Sequence, residues 1–124
     1  MEYTSNYDSD ISICTVYVTG TYKRLEDSTI LKHFACNFYK KKGCRNFLFD
    51  MTKAKIESST FGTFESGNPP DELSGTLRNL KVAILFSEIT EDDKFFETVA
   101  VNRGYRMQIF AKIEEAIEWL NKKR

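Results

Sequence analysis

The stretch that decides the fold is KVAILFSEITEDDKFFETVAVNRGYRMQIF, residues 81–110. It opens on KVAILFS (81–87), a short apolar run bounded by a polar residue, which predicts a strand. TEDDKFFETVAVNRGY (90–105) follows, with Thr90 and Asp93 at capping-box spacing and Gly104 as a stop, which predicts a helix. RMQIF (106–110) is a second strand. Strand, helix and strand in so short a span predict two parallel strands joined by a crossover.

Toward the C-terminus, IEEAIEWLNKKR (113–124) puts Ile113, Ala116, Ile117 and Leu120 on one stripe, beside Trp119. Glu114 and Glu115 come early and Lys122, Lys123 and Arg124 late, as the helix dipole favours. A docked amphipathic helix is expected.

Toward the N-terminus, a bent, two-part crossover is expected: a short helical piece after the run Ser58-Ser59-Thr60, a break at SGNPP (66–70), where Asn68 can cap and Pro69 can occupy a first turn, and a second piece, PDELSGTLRNL (70–80). CRNFLFDM (44–51) is apolar enough for a central strand buried on both faces. RLEDSTILKHFACNFYKKKG (24–43) spaces Ile30, Leu31, Phe34, Ala35 and Phe38 as a helix does and ends in lysines and Gly43. ISICTVYVTGTY (11–22) reads as a strand stopping near Gly20, joined through Asp8, Ser9 and Asp10 to an edge strand at EYTSNY. The expectation is one α/β domain over residues 1–124. Its mixed, mostly parallel sheet has four or five strands and about four helices.

Eighteen basic and eighteen acidic residues cancel, so no net field draws the chain to nucleic acid or anionic lipid. No apolar run approaches the roughly 20 residues of a membrane span. The polar start MEYTSNYDSD has no apolar signal core, and three cysteines, Cys14, Cys36 and Cys44, lack paired spacing. A reducing cytoplasm is the expected compartment.

The order of elements, a hairpin followed by helices and strands in alternation, resembles the STAS domain. YVTGTY (17–22) sits where such domains carry a strand and a Gly-containing turn, and FLFDMTKAKIESSTFG (47–62) resembles the strand, turn and helix start that hold their phosphorylatable serine. KVAILFS, FFETVAVNRGYRMQIF and EEAIEWL are similar to the divergent, uncharacterised bacterial branch of STAS-like proteins akin to the sporulation anti-sigma-factor antagonist (SpoIIAA-like). Glu57 stands where that motif usually has Asp, and Thr60 where it has Gly.

The resemblance implies a non-enzymatic regulatory or protein-interaction module with an unidentified protein partner. An alternative is a carrier of a small apolar ligand or lipid, because STAS-like folds resemble Sec14-type lipid-binding domains and ten phenylalanines could line a pocket. A homodimer through an open sheet edge is the simplest assembly. Ser58 and Ser59 are candidate helix caps, and Ser58 matches the first serine of the phosphorylation motif. Asp50, at the end of a parallel strand, is a candidate ligand or partner contact, as are Glu57, Thr60 and Arg103. His33, Cys36 and Cys44 lack a second paired spacing, so no metal is assigned, and no cofactor motif or catalytic constellation is present.

Overall fold

The computed structural model describes residues 1–57 and 71–122. The elements are β1 (Glu2–Asp8), β2 (Ile13–Lys23), α1 (Arg24–Lys42), β3 (Asn46–Glu57), α2 (Asp71–Leu77), β4 (Lys81–Leu85), α3 (Glu91–Asn102), β5 (Arg106–Phe110) and α4 (Ile113–Asn121). They form a sheet in the order β1-β2-β3-β4-β5. β1 is antiparallel to β2, and every later pair is parallel.

Alternation along the strands divides the core in two. One face presents Val16, Phe47, Phe49, Ile84 and Ile109 to the side that holds Leu31 and Ala35 of α1, Leu77 of α2 and Phe96 of α3. The other presents Ile13, Leu48, Ala83, Leu85 and Phe110 to Ala116 and Leu120 of α4. Among the described residues, three helices therefore lie on one face, whereas α4 alone covers β3, β4 and β5 on the other.

The helix boundaries follow local chemistry. α1 ends at Gly43, whose φ of 70° places it in the left-handed region and whose N–H donates to the Tyr39 carbonyl at 2.7 Å. α3 begins with the expected capping box: the Asp93 N–H donates to Thr90 Oγ1 at 3.2 Å, and the Thr90 N–H donates to Asp93 Oδ2 at 2.9 Å.

Some expectations need correction. β2 does not stop at Gly20 but continues to Lys23, and β3 continues past Met51 to Glu57. The two strands hold each other in an extension beyond the end of β4, paired from Thr19 with Lys53 to Lys23 with Glu57. Ile30 is 47% exposed because the buried stripe of α1 runs through Arg24, Ser28, Leu31 and Ala35 instead. Ile113 is 43% exposed; α4 buries Ala116 and Leu120, with Ile117 and Trp119 packed alongside.

Candidate functional site at the carboxyl ends of the strands

In open parallel sheets the crevice beyond the carboxyl ends of the strands is the usual ligand site. Here it is bounded by the end of β2, the start of α1 and the start of α3. Arg24, the first residue of α1, is 2% exposed, and its guanidinium donates to Asp93 Oδ1 at 2.6 Å and to Asp92 Oδ2 at 2.9 Å. The same guanidinium lies 5.1 Å from the Phe96 ring centroid. Asp93 is 3% exposed and also serves the capping box, so one carboxylate closes a helix and neutralises a buried cation. Sequence reading found the capping box but missed Arg24. The available signal was its place on the α1 stripe, four residues before Ser28 and seven before Leu31.

Asp50 faces Leu85 in the last register pair between β3 and β4. Its Oδ1 accepts from the Thr52 N–H at 2.9 Å and from Thr52 Oγ1 at 2.6 Å. The register slips here: Tyr17 pairs with Asp50, but Thr19 pairs with Lys53, so β3 carries one extra residue. The slip inverts its alternation. Phe47, Phe49 and Met51 point to the α1 face, yet beyond the bulge Ala54 and Ile56 do so, while Lys53 and Lys55 are exposed. Asp50 thus pins the bulge that re-aims the end of β3. Glu57 is exposed at the tip of that strand.

The described candidate contacts Asp50 and Arg103 do not converge. Arg103 caps the far end of α3, where its carbonyl accepts from Arg78 Nε and Nη2 at 3.1 and 2.9 Å. Because α3 runs back along the sheet, Arg103 and Asp50 lie at opposite ends of the parallel strands. Ser58, Ser59 and Thr60, together with Asn68 and Pro69, lie outside the described residues. His33 is exposed on α1, whereas Cys36 and Cys44 are buried. Among the described residues, no helix is long and apolar enough to cross a membrane.

A cavity of about 100 Å³ lies on the three-helix face, walled by Leu31, Phe49, Leu77, Ile84, Phe96 and Met107. Ser28, Lys32 and Tyr22 also line it. Burial lowers the Lys32 ammonium to a pKa of about 8. Burial, chiefly, raises the Tyr22 phenol and keeps it neutral. That cavity, near 100 Å³, is well short of the roughly 300 Å³ at which pockets for drug-sized ligands begin, whereas an open surface hollow of about 450 Å³ lies between β1 and α1, lined by Tyr3, Ile30, Phe34 and Phe38.

No protein-family model and no curated protein matches the chain. Solved structures do. One is the anti-sigma factor antagonist SpoIIAA in its unphosphorylated form, with a TM-score of 0.55 and 13% identity, covering 95% of this chain and 96% of that one. Another is an uncharacterized protein of the DUF3478 family with a SpoIIAA-like fold from Shewanella loihica PV-4. It has a TM-score of 0.55 and 13% identity, covering 96% of this chain and 92% of the other. The fold is SpoIIAA-like.

Proposed function

We propose that this chain is a non-enzymatic regulatory module that binds another protein through the face of β1 and β2 that no described helix covers. The observation that carries the reading is Tyr17. It lies in the middle of β2, between buried Val16 and Val18, and is 44% exposed on the face that α4 covers only over β3, β4 and β5. Thr4 of β1 lies opposite it in register. A tyrosine on a flat strand surface offers a large contact area at low entropic cost, the kind of residue that anchors interfaces.

The fold is shared with an anti-sigma factor antagonist, a protein that acts in a system of other proteins, which favours a protein partner. Three free, buried cysteines accord with a reducing cytoplasm. The edges supply a further argument. At β5, the Ile109 N–H donates to Glu97 Oε2 at 2.7 Å, so a side chain occupies that edge, whereas among the described residues β1 pairs with β2 alone. A second copy is the simplest partner for the β1 edge, and light scattering across the micromolar range tests it: a constant monomer mass removes that assembly.

The module reading is tested by a photo-crosslinking residue at position 17 in the source cells, beside a control at exposed Glu118 on α4. A single protein captured from position 17, binding the purified chain and losing affinity to Tyr17→Glu, supports it. Equal capture from both positions, or no binding by the purified pair, overturns it.

A further inference from the structure

Among the described residues, the outer edge of β1 pairs with no strand, and the hollow between β1 and α1 opens beside it. The pairing of β1 with β2 runs unbroken from Glu2 to Asp8, and the charges of the strand lie only at those two ends. Exposed edges are ordinarily guarded by lysine, proline or a bulge, and residues 3–7 have none of them. In the hollow, Phe34 and Phe38 stack with centroids 5.8 Å apart, and the Tyr3 ring meets Phe34 edge-on at 5.6 Å. Ile30, 47% exposed, and Lys41 extend the lining along α1. We infer that this edge and hollow together receive an extended segment of a partner protein, which adds a strand beside β1, sets an apolar side chain in the hollow and points an acid at Lys41.

The backbone sets the form of the partner. Unpaired N–H and C=O groups along a strand are matched by another strand, whose alternate side chains then project to one face. The volume sets the anchor: a cavity of about 150 Å³ holds benzene, so about 450 Å³ has room for an aromatic ring and a neighbour two residues on. The charge sets the flank. Lys41 is exposed and forms no ion pair among the described residues, Lys40 and Lys42 add the same sign, and the described lining holds no acid. A second copy is the simplest occupant of the edge but fills the hollow poorly. Its Tyr3 and Tyr7 already pack on its own Phe34 and Phe38, and two β1 strands paired antiparallel over their whole length would set Glu2 of each against Asp8 of the other. Thr4 lies opposite Tyr17 on the other face of the sheet, so the strand site stands or falls separately from the Tyr17 surface.

The test is an NMR titration of the full chain with a capped synthetic peptide in which threonine alternates with glutamate, valine and phenylalanine, in that order. Saturable shifts are expected at the amides of residues 3–7 and at the Ile30 methyls. The same peptide with lysine for glutamate should bind about two- to fivefold more weakly, the value of a partly exposed ion pair, and Lys41→Glu should reverse that order. Ile30→Glu, at an exposed position, should weaken the first peptide by about tenfold, and Glu118→Lys on α4 should leave it unchanged. A peptide with every amide N-methylated should not bind. The inference is overturned if the first peptide produces no saturable shift up to millimolar concentration, if the N-methylated peptide binds equally well, or if the shifts fall on α4. A stable dimer whose β1 amides are already protected from exchange and that the peptide does not dissociate would assign the edge to a second copy and overturn it too.

Discussion

Arg24 and Asp93 meet at 2.6 Å with both side chains almost wholly buried, although 69 residues separate them in the chain. Their pairing locks the first turn of α1 against the first turn of α3 and closes the carboxyl end of the sheet around a satisfied charge. It also shows why this corner is a structural joint: the arginine is held by two carboxylates and an aromatic ring.

Arg24→Met should therefore destabilise the chain by about 3–5 kcal/mol, because it leaves Asp93 buried without its cation. Urea denaturation followed by far-UV circular dichroism checks this. A loss below about 1 kcal/mol would mean that the pair is dispensable.

Asp50→Ala should cost about 1–3 kcal/mol, since it removes the acceptor of both Thr52 donors. The effect should be local. Hydrogen exchange should accelerate at residues 53–57, where β3 pairs with β2 beyond the end of β4, and remain slow at Phe47 and Phe49 in the central sheet. Uniform acceleration would show that Asp50 supports more than the bulge.

Leu120 is 2% exposed and packs beneath α4, so Leu120→Ala should cost about 2–5 kcal/mol. Trp119 is half-buried, with its ring centroid 5.8 Å from that of Phe110 and 4.6 Å from Lys81 Nζ. Lys81 Nζ also donates to the Trp119 carbonyl at the end of the helix. Trp119→Ala should cost about 2 kcal/mol, from ring contacts with one aromatic and one cation. Trp119 is the sole tryptophan, so a red shift of emission in Leu120→Ala would report α4 lifting from the sheet.

Lys32 gives the stability curve a definite sign in alkali. Burial lowers its pKa to about 8 in the fold from an ordinary 10.5, so between these values the unfolded chain holds the extra proton and stability rises with pH. The buried thiols act oppositely, Cys14 being raised from 9.0 to about 11, chiefly by desolvation and then by Cys44. The readout is therefore the difference between the wild type and Lys32→Met, which should narrow as pH rises from 8 to 10. A constant difference would place the amine in water.

Cys14, Cys36 and Cys44 are all buried and their thiols are raised, so little thiolate exists at pH 8. Labelling by a thiol reagent should be slow in the native chain and fast for all three in urea. Rapid native labelling at any one of them would reveal a local opening.

Much of the architecture is written in short-range pattern. KVAILF reads as a strand from its own composition, Thr90 and Asp93 form their capping box across three residues, and Gly43 ends α1 where a left-handed residue is needed. Strand followed by helix, three times over, leaves parallel pairing by crossovers as the economical arrangement. Such signals are legible because the interactions behind them close within one or two turns of chain.

The tertiary structure decided what depends on distant partners. DMTKAKIE looked like a strand end followed by a turn, because lysines alternating with alanine and isoleucine carry little apolar signal; pairing with Thr19–Lys23 and a bulge pinned by Asp50 make it strand. Arg24 and Ser28 carry no apolar signal in the sequence, since charge and hydroxyl ordinarily mark an exposed face. Only the meeting of α1 with α3 reveals that Arg24 has a buried acid to join and that Ser28 and Lys32 border a cavity. Periodicity records which way a residue faces along its own helix, but the free energy of a buried charge is set by what the rest of the chain brings to it.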